Sequence, residues 1–321
     1  MSEMIKTYLL TVLISFAVSL ISCCVLIPML KRLKAGQNIL VYVKEHEKKG
    51  GTPTMGGIAF IFACVLTVSF VMRGVDKTAL VCMAIGLAYM AVGLLDDLLK
   101  WKHKENLGLR AWQKFLFQTV VAVFAGVYCF RAGLTELKMP FISKTIDVDW
   151  WIIPIAVFVF LASVNAVNLT DGLDGLAAST SVPFFAAMGI LIALQGGENA
   201  LSLISFALVG GLIAYLLFNV HPASVFMGDT GSLSLGGFVA CVSIFSGNVL
   251  QLAIIGGCFV FSVISVIIQV IYYKATKGKR IFLMAPVHHH FQKKGYSECR
   301  ISYAYFVVTA FWGSICILTT L

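Results

Sequence analysis

The chain has 321 residues, of which 59% are hydrophobic and only 12% are charged, and its mean hydropathy is +0.92. So apolar a composition cannot cover a water-soluble globule with polar side chains, which excludes a soluble enzyme or binding domain. The formal net charge of +9 follows the loops between apolar segments rather than one patch, so nucleic-acid binding is not expected.

Ten apolar segments are long enough to cross the hydrocarbon layer of a membrane. They occupy residues 7–30, 54–72, 77–95, 115–130, 150–169, 176–194, 200–218, 231–247, 249–273 and 301–320. No ten-residue pattern of alternating polarity repeats, so helices rather than barrel strands are expected. The sequence therefore predicts an all-α integral membrane protein of about ten transmembrane helices, forming one domain over 1–321, with an uncleaved first span.

Positive charge is concentrated in three loops that follow odd-numbered spans. Loop 31–53 carries six Lys and Arg residues, loop 99–114 carries five and loop 274–300 carries seven, together eighteen of the twenty-four. Because positively charged loops stay on the cytoplasmic side, both termini are expected on the outer side. The polar motifs in the loops after odd spans are then expected to share the cytoplasmic face.

The first polar motif precedes the second span. Lys48 and Lys49 are followed by Gly-Gly-Thr-Pro and then by Thr54. Bases beside a flexible backbone suit a nucleotide or a lipid head group, and a plain juxtamembrane basic loop is the alternative. Lys49 and Thr54 are therefore candidate binding residues.

Asp96 and Asp97 directly follow the third apolar segment. Placing a charged carboxylate at the edge of a membrane-spanning helix costs free energy. A functional site is therefore the default interpretation when a cation is available to pair with it. Adjacent helical residues point about 100° apart, so the two side chains cannot face one ligand in the same way. One could approach a metal or a reacting phosphate while the other pairs with Lys100 or Lys114. A solvated helix end is the alternative.

A series of polar residues closes the fifth span. Its members are Asn165, Asn168, Asp171 and Asp174. A three-residue step drifts by about 60° per repeat, so these side chains are expected to wrap around a helix rather than share one face. Gly172 and Gly175 interrupt the helix and permit close approach to the backbone. A helix-terminating Asx turn would explain one Asp but not the series.

A glycine-framed carboxylate follows the seventh span. The segment runs from Phe226 through Met-Gly to Asp229 and on through Thr-Gly, and Asn219 precedes it. An acidic residue between two glycines suits a cation with oxygen ligands, or a phosphate held by backbone N–H groups. A simple turn is the alternative.

Three consecutive histidines, His288, His289 and His290, precede a lysine pair at 293–294. They offer cationic or hydrogen-bonding groups for anionic oxygens. Consecutive histidines fan apart on a regular helix, so a shared transition-metal site is not the favoured interpretation.

Together the motifs supply carboxylates for Mg²⁺ and bases for phosphate, the inventory for phosphoryl transfer between a soluble and a lipid substrate. In sequence and order, the motifs from Asp96 to Glu298 resemble those of the polyprenyl-phosphate phosphoglycosyl transferases. The resemblance covers nearly the whole chain. Its triple histidine favours members acting on UDP-MurNAc-pentapeptide over those for N-acetylhexosamine phosphates. Gln292 and Tyr296 depart from the pattern, where Glu and Trp are expected.

The resemblance implies a reaction and its partners. In a bacterial cytoplasmic membrane, UDP-MurNAc-pentapeptide and undecaprenyl phosphate would give undecaprenyl-diphospho-MurNAc-pentapeptide and UMP, with Mg²⁺ as cofactor and the active site facing the cytoplasm. Direct attack by a lipid phosphate oxygen and a route through an acyl phosphate on an Asp are both compatible, and direct attack is favoured. Membrane lipids surround such a protein, and a homodimer is one option for its oligomeric state.

The resemblance also implies roles for the residues. Asp229 is the expected Mg²⁺ ligand with Asp96 as a second candidate, Asp97 would orient or deprotonate the lipid phosphate, and His288 joins the catalytic set. The expected substrate-binding residues are Lys49, Thr54, Lys114, Asn165, Asn168, Asp171, Gly172, Asp174, Asn219, Phe226, His289 and His290.

A secondary transporter is the leading alternative class, because transporters also place carboxylates in interrupted membrane helices. Their acidic groups lie near the midplane, whereas the motifs here lie at the mouths of loops on one side. A structural scaffold would not need glycine-framed Asp residues in several loops. The sequence therefore favours an enzyme.

Overall fold

The described part of the chain folds into twelve α-helices, one short 3₁₀ helix at Asp149–Trp151 and one short hairpin. The computed structural model describes residues 2–33, 51–72, 74–103, 108–142, 144–196 and 199–320. The helices are α1 Ser2–Arg32, α2 Gly57–Val71, α3 Lys77–His103, α4 Ala111–Arg131, α5 Ile152–Thr170, α6 Leu176–Gly196, α7 Ala200–Asn219, α8 Gly228–Phe245, α9 Val249–Ile255, α10 Gly257–Ala275, α11 Val287–Lys293 and α12 Glu298–Leu318. Nine helices of these ranges are long and apolar enough to cross a membrane, which confirms the prediction of a membrane protein that is almost entirely α-helical.

Two of the ten predicted spans differ in the structure. Predicted span 54–72 is the 15-residue helix α2, because the chain before Gly57 is tied to the segment before α8 by backbone hydrogen bonds. Phe226 N–H donates to the Pro53 oxygen at 2.8 Å, and Gly56 N–H donates to the Phe226 oxygen at 2.9 Å. Predicted span 249–273 divides at Gly256 into α9 and α10. The count of ten spans and the orientation of the termini stay predictions.

Helices α6, α7 and α8 form the centre of the bundle and are buried along most of their length. α8 packs against α3 and α5, α7 packs against α1 and α2, and α6 packs against α7 and α12. Phe184, Tyr215 and Phe238 are fully buried in this centre, whereas large apolar side chains such as Leu13 and Phe158 are exposed on the outer helices. An apolar outer surface is what a bundle surrounded by lipid requires.

Small residues bring α8 close to both of its neighbours. A Cβ atom built on Gly236 would lie 2.5 Å from the Val164 Cα atom of α5, and one on Gly237 would lie 2.6 Å from the Tyr89 ring of α3. Membrane helices associate by packing, and small residues let their backbones approach. The contact holds the first turn of α8, with Asp229, against the helix that carries the paired carboxylates.

A two-stranded hairpin between α4 and α5 was not predicted. Its strands, β1 Glu136–Lys138 and β2 Thr145–Asp147, pair antiparallel. Strands of three residues are too short to show alternating polarity. The hairpin lies against the end of α8 away from Asp229, where Lys138 N–H donates to the Gly247 oxygen at 2.9 Å.

Candidate active site

The first turn of α8 carries Asp229, which the sequence analysis placed in the loop before the helix. The helix begins at Gly228 because Asp97 of α3 caps it. Asp97 Oδ2 accepts hydrogen bonds from the Thr230 N–H at 2.9 Å and the Thr230 hydroxyl at 2.7 Å, and Oδ1 accepts from the Asp229 N–H at 3.2 Å. A carboxylate here satisfies free N–H groups and interacts favourably with the helix dipole.

Two lysines bridge Asp96 and Asp229. Lys100 Nζ lies 2.7 Å from Asp96 Oδ2 and 2.8 Å from Asp229 Oδ2. Lys114 Nζ of α4 lies 2.8 Å from Asp229 Oδ2 and 3.9 Å from Asp96 Oδ2. Ion pairs this close offset part of the cost of burying the carboxylates. The prediction that the adjacent aspartates have different partners is confirmed, because Asp96 pairs with lysine and Asp97 with α8.

Three carboxylates form a cluster that could hold a metal ion. Oxygen atoms of Asp96, Asp97 and Asp229 lie within 4.8 Å of one another. The ammonium groups of Lys100 and Lys114 lie against these three carboxyl groups. Carboxylate oxygens are the ligands that hard divalent cations prefer.

The polar series of α5 points in several directions, as its three-residue spacing predicts. Asn168 Nδ2 donates to Asp229 Oδ1 at 2.7 Å. Asn165, one turn deeper, donates instead to Gln118 Oε1 of α4 at 2.9 Å. Asp174 lies beyond the end of the helix, in a second cluster. Asn168 therefore joins the carboxylate cluster, whereas Asn165 ties α5 to α4.

The second polar cluster surrounds the loop after α5. Asp174 Oδ2 accepts from the Ala223 N–H at 3.1 Å and from His221 Nδ1 at 2.9 Å. The Asp174 N–H donates to Glu298 Oε2 at 2.8 Å. Sequence reasoning assigned no role to His221 or Glu298. The signal that could have found Glu298 is its place at the end of the triple-histidine motif.

Asp171 lies in the same loop, between the two clusters. Burial, followed by the negative charges of Asp229, Asp97 and Asp174, raises the pKa of Asp171 well above its ordinary value. Desolvation and like charges both disfavour an ionised carboxyl group. The pKa of Asp171 is therefore shifted in the direction that favours the neutral carboxyl group.

The triple-histidine segment forms α11 and lies against this loop. A Cβ atom on Gly172 would lie 2.6 Å from His288 Nε2 and 3.0 Å from His289 Nε2, so the approach requires glycine. His288 is fully buried, and burial together with neighbouring His289 lowers the pKa of His288 to about 3. His288 is thus neutral at physiological pH, which favours the hydrogen-bonding interpretation over the cationic one for this residue.

Thr54 and Phe226 lie beside the start of α8. Thr54 is buried, and its Oγ1 lies 2.6 Å from the position that a Cβ atom on Gly228 would take. Phe226 is partly buried and is joined through its backbone to the segment that precedes α2. Lys49 lies outside the described residues.

Asn219 and His290 form hydrogen bonds with backbone groups that are close to them in the sequence. Asn219 Nδ2 donates to the Val225 oxygen at 2.9 Å, which holds the loop between α7 and α8. His290 Nδ1 accepts from the Leu283 N–H at 3.1 Å, which holds the segment before α11. Their hydrogen bonds order the chain around the site, and their expected roles in substrate binding stay predictions.

Comparison with known proteins identifies the family. The family model for "Glycosyl transferase family 4" matches residues 77–247, which run from α3 past the end of α8. The chain belongs to glycosyl transferase family 4. It is 43% identical over 312 residues to the phospho-N-acetylmuramoyl-pentapeptide-transferase of Halalkalibacterium halodurans, covering 96% of this chain and 94% of that protein. It is 41% identical over 321 residues to the protein of the same name from Bacillus subtilis, covering 98% of this chain and 97% of that protein. To the one from Clostridium perfringens it is 43% identical over 301 residues, covering 94% of this chain and 93% of that protein.

The carboxylate cluster of this glycosyl transferase family 4 protein lies within the matched range. Asp96, Asp97, Asp229 and both bridging lysines fall between residues 77 and 247, whereas the triple histidine follows that range. The relatives extend over the triple histidine as well, because they cover nearly all of the chain.

Removing the α8 cap gives a test of how this family 4 transferase holds its site. Asp97→Ala is expected to lower the free energy of unfolding by about 1–2 kcal/mol, because N–H groups of the first turn lose their acceptor. Asp97→Asn should lose less, since the amide oxygen still accepts. Thermal unfolding in detergent measures both, with the exposed Glu136→Ala as control. A loss from Asp97→Ala no larger than that of the control would contradict the capping role.

Proposed function

We propose that this transferase moves phospho-MurNAc-pentapeptide from UDP-MurNAc-pentapeptide to undecaprenyl phosphate and releases UMP. The observation that carries the proposal is the meeting of Asp96, Asp97, Asp229, Lys100 and Lys114 at the ends of helices that can cross a membrane. Relatives of nearly equal length that bear the name of this transferase support the same reaction. The charge of the loops favours a site on the cytoplasmic face of a bacterial cytoplasmic membrane.

The proposed reaction is a single displacement at phosphorus. A lipid phosphate oxygen forms a bond to the phosphorus that bears the sugar, and the bond from that phosphorus to the bridging oxygen breaks, so UMP leaves. Such transfer requires mainly positioning and compensation of charge. Lys100 and Lys114 supply positive charge beside Asp229, and Asn168 holds the other Asp229 oxygen. The loop with Asp174, together with α11, would receive the nucleotide and sugar.

Mg²⁺ is the proposed cofactor, and the donor set fits it. Asp229 and Asp96 supply carboxylate oxygens in a cluster whose ligand atoms lie close enough together to hold one ion, which suits a hard cation. Asp97 is the weaker ligand candidate, because backbone N–H groups of the first turn of α8 hold both of its oxygens, whereas the partners of Asp229 are all side chains. When bound, Mg²⁺ would offset charge on the diphosphate of the donor.

Direct attack by the lipid phosphate is favoured over an acyl phosphate on an aspartate. Asp97 accepts three hydrogen bonds, and Asp96 and Asp229 are paired with lysines, which makes all three carboxylates poor nucleophiles. A phosphate monoester is already anionic near neutral pH. A phosphosugar trapped covalently on Asp96 or Asp97 in the absence of lipid would contradict direct attack.

The reaction is tested with purified protein in detergent. UMP release is expected only when UDP-MurNAc-pentapeptide, undecaprenyl phosphate and Mg²⁺ are all present. Chelation by EDTA should abolish release, and added Mg²⁺ should restore it, because the cluster then regains its cation. Release with UDP-N-acetylglucosamine instead would favour the related hexosamine-phosphate transferases. No release with either donor, from protein that unfolds cooperatively on heating, would favour a transporter.

A further inference from the structure

A group of four bases lies at the end of α10 and in the segment that joins α10 to α11. This basic patch consists of Lys274, Lys277, Lys279 and Arg280. All four side chains are exposed. The chain contains no acidic residue between Asp229 and Glu298. In the part of the chain that the structure describes, no carboxylate forms an ion pair with any of the four bases. The positive charge of the patch therefore has no counter-charge within the described structure.

Large apolar side chains are exposed beside the basic patch. Ile281 and Leu283, which follow it in the chain, are 48% and 53% exposed, and Ile271 of α10 is exposed as well. The guanidinium carbon of Arg280 lies 6.0 Å from the centre of the exposed Tyr273 ring. Bases, aromatic rings and apolar side chains occur together where a protein surface meets both lipid head groups and hydrocarbon.

The basic patch lies where a membrane-spanning helix ends, and at the same end of the bundle as the carboxylate site. α10 is long and apolar enough to cross a membrane, and Lys274 belongs to its last turn. The segment that follows leads to α11, whose His288 lies against Gly172 of the site. Clusters of bases beside a spanning helix attract anionic lipid head groups. A soluble acidic protein would match the charge of the patch but not its exposed apolar side chains.

Two hydrogen bonds join the exposed segment to the helices on both sides of it. Phe282, between Ile281 and Leu283, is partly buried, and its N–H donates to Gln269 Oε1 of α10 at 2.9 Å. The Leu283 N–H donates to His290 Nδ1 of α11 at 3.1 Å. A lipid that binds the exposed side of this segment therefore contacts backbone that is directly bonded to the triple-histidine helix.

We propose that the basic patch binds anionic phospholipids of the surrounding membrane and that this contact holds the segment between α10 and α11 in place. Phosphate groups of the lipid pair with the bases, and Ile281 and Leu283 contact the adjoining acyl chains. The occupant is a phospholipid with a net negative charge, such as phosphatidylglycerol. The site is independent of the proposed transfer reaction, because no substrate of that reaction takes part in it.

Lipid binding is tested with the triple variant Lys277→Gln, Lys279→Gln and Arg280→Gln. Lys274 stays, because a base in the last turn of α10 interacts favourably with the helix dipole. Native mass spectrometry of the delipidated full-length protein measures binding of phosphatidylglycerol and of phosphatidylcholine. The wild type should prefer phosphatidylglycerol, and a higher salt concentration should weaken that preference. The triple variant should bind phosphatidylglycerol about a hundredfold more weakly, the factor that corresponds to about 1 kcal/mol for each base.

The matched control is the triple variant Lys6→Gln, Lys77→Gln and Lys144→Gln. These three exposed lysines are far apart in the sequence and belong to the other end of the bundle, at the start of α1, at the start of α3 and beside β2. The control loses the same number of positive charges but keeps the basic patch. It should bind phosphatidylglycerol as the wild type does.

Hydrogen exchange locates the contact. The full-length protein is placed in nanodiscs of phosphatidylcholine alone, or of phosphatidylcholine and phosphatidylglycerol in equal parts. In the wild type, the backbone amides of residues 276–290 should exchange more slowly in the mixed nanodiscs, because bound lipid stabilises the segment and its hydrogen bond to α11. In the triple variant of the patch, exchange over these residues should be the same in both nanodiscs.

Equal affinity of the wild type for the two phospholipids would overturn the proposal. So would a triple variant that keeps the preference, a control that loses as much of it, or slower exchange outside residues 276–290 alone. If the triple variant does not fold, Lys277→Gln and Arg280→Gln are measured singly, and each should weaken binding about fivefold. Loss of undecaprenyl phosphate binding in the triple variant, with phosphatidylglycerol binding unchanged, would assign the patch to the lipid substrate and overturn the proposal.

Discussion

Asp229→Asn is expected to lower kcat/KM by at least about a thousandfold, the scale on which a site loses a group that stabilises charge. Asp229 Oδ2 accepts from both Lys100 and Lys114, and Oδ1 accepts from Asn168. An amide has one acceptor oxygen and turns an NH₂ group toward one of these donors. The two ammonium groups would then have Asp96 as their remaining partner in the cluster, and the proposed Mg²⁺ would lose a ligand.

UMP release measures this effect, with Asp76→Asn as the matched control. Asp76 also precedes a helix and accepts from an N–H group, that of Ala79, but it lies at the end of α3 away from the site. Asp76→Asn should keep near-normal turnover. The unfolding temperature of Asp229→Asn should stay close to that of the wild type, because the Asp97 side chain still caps α8. Near-normal turnover by Asp229→Asn would remove Asp229 from the reaction.

Gly93→Ala is expected to reduce both stability and activity, because Gly93 of α3 touches the backbone of α8. A Cβ atom on Gly93 would lie 2.0 Å from the backbone carbonyl oxygen of Asp229 and 2.6 Å from the backbone nitrogen of Thr230. These backbone atoms cannot move aside without moving the helix. One of the two helices must shift, which should lower the free energy of unfolding by about 1–3 kcal/mol. A shift of about 1 Å would also separate Asp97 from the N–H groups of α8 that it caps, and would reduce turnover about a hundredfold.

Thermal unfolding and UMP release measure the two effects of Gly93→Ala in parallel. Gly257→Ala is the matched control, because Gly257 also lies in a helix but a Cβ atom there would meet nothing within 4 Å. It should leave both quantities unchanged. If Gly93→Ala retained wild-type turnover, the close contact between α3 and α8 would not control the site.

Several features of the site could be predicted from the sequence, because they depend on local spacing. The opposed directions of Asp96 and Asp97 follow from the 100° step between adjacent helical residues, and the spread of Asn165 and Asn168 follows from their three-residue spacing. Asp96 pairs with Lys100, whereas Asp97 accepts hydrogen bonds from α8. Asn165 donates to Gln118, whereas Asn168 donates to the carboxylate cluster.

Other features depend on partners that are remote in the chain. The start of α8 at Gly228 depends on Asp97, more than a hundred residues earlier, and no signal near Asp229 indicates that cap. Glu298 accepts a hydrogen bond from the N–H of Asp174, more than a hundred residues earlier in the chain, as well as one from Gln292 of α11. The β1–β2 hairpin has strands too short for a pattern of alternating polarity to identify them.

By itself, the sequence determined that the protein is a helical bundle of the membrane and that its carboxylates, bases and histidines belong to one kind of chemistry. Apolar length and residue type are local properties, so they can be read along the chain. Only the tertiary structure decided which carboxylate caps a helix and which pairs with lysine. Those outcomes depend on distances between atoms of different helices, which close packing at Gly93 and Gly172 sets.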